Sequence, residues 1–128
     1  MMKLKILKDT YAIYKFSPDE NIPLKMNNSD FYSITQTDDE ISLVCRQSEN
    51  IKDALQVNKD WRVLKIIGPL DLSLVGVIAE ISKILSENSI PIFTISTFET
   101  DYILVKDFDL NKAAEALGKN KNIILEES

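Results

Sequence analysis

The chain has 128 residues, of which 45% are hydrophobic, and a formal net charge of −5 from 15 Lys and Arg against 20 Asp and Glu. That length and composition suit one compact domain, or two very small ones, with a buried core. The acidic balance argues against a nucleic-acid partner, and no apolar run reaches the ~20 residues of a membrane helix. The absence of histidine excludes Ser-His and Cys-His catalysis. We therefore expect neither an enzyme nor a bound cofactor or metal.

Alternating, aromatic-rich segments predict strands in the first half of the chain. The predicted strands are residues 4–7, 10–16, 31–36 and 41–46. The last two are joined by the polar turn at 37–40, whereas residues 19–30 are predicted to form a loop or one helical turn. Cys45 alternates with Ile41 and Leu43 on an apolar face, which predicts a buried, unreactive thiol. As the single cysteine, it indicates a reducing, cytoplasmic location. Apolar spacing at residues 50–58 predicts a short helix.

The second half contains the clearest helical pattern of the chain, over residues 72–88. Its apolar residues recur at helical spacing: Leu74, Val77, Ile78, Ile81, Ile84 and Leu85. A second helix is predicted over 110–117, ending at Gly118. Strands are predicted at 61–67, 91–97, 102–106 and, at a sheet edge, 122–125. This order of elements is typical of a ferredoxin-like α+β module, in which two helices cover one face of an antiparallel sheet.

The two halves contain similar hairpins, which indicates an internal repeat. Residues 34–45 align without gaps with residues 95–106 at an offset of 61, so that Glu40 corresponds to the turn acid Asp101. Residues 15–18 align with 66–69 at an offset of 51. The smaller upstream offset predicts that the first copy lacks most of the helix found at 72–88. Chance similarity between two hairpins of one β-rich chain is the alternative.

Three parts of this pattern resemble the paired ACT domains of the CASTOR type, which are related to the regulatory ACT pairs of aspartate kinases. The first part is YSITQT at 32–37 with EISLVC at 40–45, the second is GVIAEI at 76–81, and the third is ISTFETDYILV at 95–105. The resemblance implies two βαββαβ modules with antiparallel sheets, an abbreviated one at 1–60 and a complete one at 61–128. It also implies a non-catalytic protein that binds a small ligand between ACT modules.

Carried over residue by residue, the resemblance implies ligand contacts at six matching positions: Gly76, Val77, Ile78, Thr97, Phe98 and Asp101. A helix start offers unpaired N–H groups to a carboxylate, and an acid can accept from an ammonium group. Two further positions depart from the family pattern. Asp71 stands where the family has a glycine, and Leu74 stands where arginine-binding members have a glutamate. We therefore expect a neutral amino acid instead of arginine.

Each of these residues also has a purely structural explanation. Asp101 is a common turn residue, and Thr97 and Phe98 are good strand residues. Gly76 could allow close helix packing, Leu74 could lie in the core, and Asp71 could cap the helix. The sequence thus predicts a cytoplasmic regulatory or sensor protein. It is expected to form a homodimer, and a protein partner is a further possibility. The alternative is a structural or protein-interaction ACT module that has lost its ligand site.

Overall fold

The structure is a computed structural model that describes residues 2–22, 31–67 and 76–127. The chain divides into two compact units. The N-terminal unit is Asp9–Asp60, and the C-terminal unit combines Met1–Lys8 with Trp61–Ser128. The predicted domains, 1–60 and 61–128, differ from these units in the placement of the first eight residues.

The described residues form a mixed α+β fold whose sheet pairing is mostly antiparallel. Its strands are β1 (Met2–Ile6), β2 (Tyr11–Phe16), β3 (Ser33–Gln36), β4 (Ile41–Arg46), β5 (Gln56–Ile66), β6 (Ile92–Ser96), β7 (Asp101–Lys106) and β8 (Ile123–Glu127). Its helices are α1 (Val77–Glu87) and α2 (Leu110–Gly118), and a 3-10 turn, Asp107–Asp109, precedes α2. Neither helix within the described ranges has the length and apolarity needed to cross a membrane.

In the C-terminal unit, β1 lies between β8 and β5. It is parallel to β8 and antiparallel to β5, and β7 is antiparallel to both β5 and β6. Leu4 and Ile6 of β1 are buried in the same core as the second half of the chain. The apolar alternation of residues 4–7 correctly predicted a strand, but not its insertion beside β8.

Both helices of the C-terminal unit pack on one face of its sheet, as the sequence predicts. Ile81 and Leu85 of α1 and Ala113 and Leu117 of α2 are fully buried. They share a core with sheet residues of β1, β5, β7 and β8. The predicted helix 72–88 is observed from Val77 to Glu87, and residues 72–75 lie outside the described part of the chain.

The N-terminal unit contains a three-stranded antiparallel arrangement in which β4 lies between β3 and β2. One face of it forms a separate apolar cluster that includes Phe16, Leu43 and Cys45. Cys45 is fully buried, and burial with the nearby Glu49 carboxylate raises the pKa of its thiol from 9.0 to about 11. The expectation of a buried thiol is therefore confirmed.

The short helix predicted at 50–58 is wrong. Asp53 has φ 66°, a left-handed conformation that interrupts a right-handed helix, and β5 already begins at Gln56. The N–H of Leu55 donates to the Lys15 carbonyl at 2.8 Å, and the Leu55 side chain is 64% exposed. The helical spacing of Ile51, Ala54 and Leu55 was thus coincidental.

The two hairpins are equivalent at an offset of 60, not 61. Gln36 pairs with Ile41 at the end of β3–β4, and Ser96 pairs with Asp101 at the end of β6–β7. This register matches the buried Leu43 and Cys45 of one hairpin with the buried residues Ile103 and Val105 of the other. A shift by one residue exchanges the two faces of a strand, so the predicted correspondence of Glu40 with Asp101 is wrong.

Candidate functional site

The β6–β7 turn, residues 97–100, is held by Thr97. Its N–H donates to the Thr100 carbonyl at 2.8 Å, and its hydroxyl donates to the same oxygen at 3.1 Å. The Thr100 N–H lies 3.3 Å from the Thr97 hydroxyl oxygen and donates to it. Thr37 forms the same set of bonds with Glu40 in the first hairpin. Turn formation therefore accounts for the threonine at the start of each hairpin turn.

Asp101 begins β7 directly after this turn and is half-buried. Its carboxylate accepts a short hydrogen bond from the Ser96 hydroxyl across the β6–β7 pair. A carboxylate offers about four lone-pair sites, so one hydroxyl partner leaves capacity for an ammonium donor. The arrangement is compatible with ligand binding and is also a complete local interaction.

Phe98 lies at the tip of the turn and is 85% exposed. The sequence offers strand propensity and packing as the structural explanation for this residue. Its exposure rules out packing in the described core. Strand propensity does not explain it either, because β6 ends at Ser96 and Phe98 lies beyond the strand. An exposed aromatic ring at a turn tip is available to contact a ligand or another protein surface.

Thr100 anchors the turn, a role that the turn pattern alone did not predict. It is 6% exposed, and its hydroxyl donates to the Ile66 carbonyl at 2.5 Å. Ile66 is the last residue of β5, so this bond joins the turn to the point where the chain leaves the sheet towards α1. The only available signal was the position of a threonine at the end of a four-residue turn, where a polar exposed residue is expected.

The start of α1 contains the other predicted contacts. Gly76 caps the helix with φ 84°, and a Cβ built there would have no atom within 4 Å. The glycine therefore stands at a left-handed backbone position, not inside the helix as the sequence suggested. Val77 and Ile78 are partly buried and pack against the core of the C-terminal unit. The Glu80 N–H donates to the Gly76 carbonyl at 2.8 Å as the helix begins.

This helix start could also bind an anion. In an α-helix the first N–H groups have no partner within the helix, and the dipole places positive charge at this end. The backbone amides of residues 77–79 precede the Glu80 N–H, the first helical donor among the described residues, and follow a glycine that has no Cβ. Asp71 and Leu74, the two positions that depart from the family pattern, lie outside the described residues.

The described contact residues of the predicted site fall into two groups. Thr97, Phe98 and Asp101 lie together in and beside the turn, and Thr100 joins that turn to the end of β5. Gly76, Val77 and Ile78 lie together at the start of α1. Within the described ranges, no hydrogen bond joins the two groups. The same part of the chain contains no cluster of three or more His, Cys, Asp or Glu residues that could hold a metal ion.

Family comparison places the chain in a known class. A family model for the ACT domain matches residues 56–119, half of the chain, and the chain therefore belongs to the ACT domain family. That match contains all of β5, α1, β6, β7 and α2, the elements that hold both groups of predicted contacts. A second family model, for an N-terminal domain, matches residues 9–53.

Solved structures agree with this assignment. The chain is 37% identical to a protein of Agobacterium tumefaciens, with a TM-score of 0.87 over 99% of this chain and 93% of that one. The ligand-free regulatory subunit of Thermus thermophilus aspartate kinase is 12% identical, with a TM-score of 0.55 over 87% and 92% of the two chains. Escherichia coli aspartokinase III in complex with aspartate and ADP is 16% identical, with a TM-score of 0.59 over 94% of this chain and 33% of that one.

ACT domains are generally regulatory domains that respond to small molecules, and the family itself is non-catalytic. In the kinase relatives, the ACT part is the regulatory part. The fold and the family therefore define a regulatory module.

Proposed function

We propose that this protein is a small-molecule sensor that binds a neutral amino acid at the start of α1 and the β6–β7 turn. The observation that carries the proposal is the ACT match over 56–119, because it contains both groups of predicted contacts. Similarity to aspartate kinase structures, one of them in complex with aspartate, supports an amino acid as the ligand class. The CASTOR-type motifs support a closer kinship with paired amino-acid sensors.

The ligand would present its two charged groups to opposite sides of this site. Its carboxylate would accept from the first backbone N–H groups of α1, which follow Gly76, a residue without a side chain. Its ammonium group would donate to Asp101, whose carboxylate has one described hydroxyl donor, that of Ser96. Leu74 stands in the sequence where arginine sensors have an acid, which favours an uncharged ligand side chain. The site would be completed by a second ACT module in a homodimer.

A thermal-shift screen with the twenty amino acids tests ligand binding, because a ligand that binds only the native state raises apparent stability. We expect one or more neutral amino acids to raise Tm. Asp101→Asn should weaken that ligand about tenfold, the loss expected for a charged hydrogen bond at a partly exposed position. Glu99→Gln is the matched control, since Glu99 is an exposed acid in the same turn. Equal affinity of both variants and the parent would place the ligand elsewhere.

A protein-interaction module without a ligand is the second candidate, and two observations favour it. The side chains of Thr97 and Asp101 already have partners within the hairpin, and Phe98 is exposed at the tip. Sedimentation velocity distinguishes this candidate when Phe98→Ser is compared with Phe108→Ser, since Phe108 is also exposed, at 79%. If no amino acid raises Tm and Phe98→Ser alone dissociates a dimer or a partner complex, this candidate replaces the sensor.

The proposed site of action is the cytoplasm. The single cysteine, Cys45, has no second cysteine with which to form an internal disulfide, and small proteins of oxidising compartments commonly depend on such bonds. A homodimer is proposed on the grounds of the family's paired modules. A single species of 14.6 kDa at high micromolar concentration in sedimentation experiments would refute the dimer.

A further inference from the structure

The N-terminal unit contains a pocket of about 260 Å³ on the apolar face of β2 and β4. The buried side chains of Phe16 and Leu43 form its floor, and the half-buried Ile22 and Ile51 line its sides. All of these residues belong to the apolar cluster of that unit. The pocket therefore combines an apolar interior with an opening to solvent, which is the usual character of a small-molecule site.

The pocket lies where the C-terminal unit has helices. At the corrected hairpin offset, Leu43 corresponds to Ile103, whose face of the sheet is covered by Ile81 and Leu85 of α1. The described residues of the N-terminal unit contain no helix, and the connections at 17–22 and 47–55 run along the same face instead. In the described part of the N-terminal unit, this face of the hairpin therefore lies against a cavity instead of a helix.

Hydrogen bonds fix both walls of the pocket to the sheet. In the first wall, the Glu20 N–H donates to the Ser17 carbonyl at 3.1 Å, and the Gln36 side chain donates to the Pro18 carbonyl at 3.2 Å. In the second wall, Arg46 and Glu49 form an ion pair at 2.8 Å, and the Ile51 N–H donates to the Glu49 carbonyl at 3.1 Å. Gln36 of β3 and Arg46 of β4 therefore tie the two connections to the sheet.

The rim of the pocket contains charged groups that have no partner within the described residues. Glu20, Lys52 and Asp53 line the opening, and none of them forms an ion pair or a side-chain hydrogen bond in that part of the chain. Two carboxylates against one ammonium give the rim a net negative charge. This balance favours a ligand whose positive group lies at the pocket opening while its apolar group lies against Phe16 and Leu43.

Asp53 differs from the other left-handed aspartate of the same unit. Asp60 has φ 69°, and the Gln47 side chain holds it with two hydrogen bonds, at 2.7 and 3.0 Å. Asp53 has φ 66° and no such partner among the described residues, although this conformation is costly for a non-glycine residue. Asp53 lines the pocket, which agrees with a role for its carboxylate there.

We propose that this pocket binds a small molecule that joins an aliphatic group to an ammonium group, either an amino acid or the corresponding amine. Its volume lies just below the roughly 300–1,000 Å³ of pockets for drug-sized ligands, so it suits a metabolite of a few carbon atoms and excludes a nucleotide. The aliphatic group would replace water on the apolar floor, and the ammonium group would donate to Glu20 and Asp53. The carboxylate of an amino acid would lie against Lys52.

Methyl NMR of the full chain tests this proposal with three probes: L-leucine, 3-methylbutylamine and N-acetyl-L-leucine. We expect the first two, added to millimolar concentration, to shift the methyl signals of Ile22, Leu43 and Ile51. N-acetyl-L-leucine, which lacks the ammonium group, should not. Tighter binding of leucine than of the amine, abolished by Lys52→Gln, would identify an amino acid as the natural source. Equal binding of both probes in the parent and in Lys52→Gln would identify an amine.

Variants of exposed acids separate this site from the one proposed above. The double change Glu20→Gln with Asp53→Asn should weaken binding about tenfold, as expected for two solvent-exposed charge pairs. Asp38→Asn is the matched control, since Asp38 is an exposed acid of the same unit outside the pocket. Absence of methyl shifts, equal binding of N-acetyl-L-leucine, or an unchanged double variant would overturn the proposal. Shifts confined to Val77 and Ile78 would overturn it while supporting the amino-acid site at α1.

Discussion

The buried hydroxyl of Thr100 offers a direct test of how the β6–β7 turn is held in place. Its bond of 2.5 Å to the Ile66 carbonyl is the described hydrogen bond that ties the turn to the end of β5. Thr100→Val keeps the size and branching of the side chain and replaces the hydroxyl with a methyl group. The change therefore removes the hydrogen bond without opening a cavity.

The expected cost follows from the burial of this bond. A typical intramolecular hydrogen bond contributes about 0.5–1.5 kcal/mol, and a buried acceptor left without its partner costs about 1–3 kcal/mol. Thr100 is 6% exposed, so we expect Thr100→Val to lower the free energy of unfolding by about 1–2 kcal/mol. In a domain of this size, that loss corresponds to a decrease in Tm of roughly 3–8 °C.

Urea denaturation of Thr100→Val and Thr94→Val measures this difference. Thr94 is exposed on β6, so the same replacement there should change the free energy of unfolding by less than about 0.5 kcal/mol. Amide exchange should accelerate in residues 97–101 of the first variant because its turn is no longer anchored. Equal stability of the two variants would refute the conclusion that Thr100 anchors the turn.

Three further predictions concern backbone strain and pH. Ser89 has φ 58° after α1, where the Ile90 N–H donates to the Leu85 carbonyl, so Ser89→Gly should stabilise the protein by about 0.5 kcal/mol in urea denaturation. Gly76→Ala should cost about 1 kcal/mol in the same assay, despite open space, because φ 84° strains a side chain; Gly76→Asn should cost less. Burial raises the pKa of Cys45 to about 11, so its contribution to stability is intact below pH 9 and is lost as the pH rises through about 11. The parent should therefore lose stability relative to Cys45→Ala over that range, and an unchanged difference would contradict the assigned burial.

Local pattern was sufficient to predict most strands of this fold. The strand patterns over 41–46 and 102–106 reproduce β4 and β7 within one residue, although Val44 and Leu104 are buried on the face opposite the apolar residues beside them. The helical stripe predicted α1 over its described length and its packing on the same face as α2. These elements are specified by short-range spacing of apolar residues.

Long-range pairing was not accessible to the same reasoning. The similarity of residue types favoured an offset of 61, yet the hydrogen-bonded turns of Thr37 and Thr97 fix an offset of 60. Neither apolar content nor turn composition separates two registers that differ by one residue. The insertion of β1 beside β8 similarly depends on partners more than a hundred residues apart in the chain.

The candidate site shows the same limit in a different form. The resemblance assigned Gly76 and Thr97 to a ligand site, and a left-handed helix cap and a turn also explain these two residues structurally. Thr100 was missed because burial of a polar side chain depends on the packing around it, which a turn motif does not reveal. Whether Asp101 binds a ligand remains a prediction for the same reason: its local bond to Ser96 neither requires a ligand nor prevents one.

The difference between the two hairpins determines where each unit could hold a small molecule. In the C-terminal unit, side chains of α1 and α2 fill the sheet face around Ile103, so a ligand of that unit must bind at the ends of elements, near the turn and the helix start. In the N-terminal unit, the corresponding face around Leu43 is open to a pocket, and no described helix competes for it. The described residues of the N-terminal unit thus offer no helix start whose amides could bind a carboxylate, whereas its pocket combines apolar walls with a charged rim. The two proposed sites therefore depend on different chemistry, which is why substitutions at Asp101 and at Asp53 should act independently.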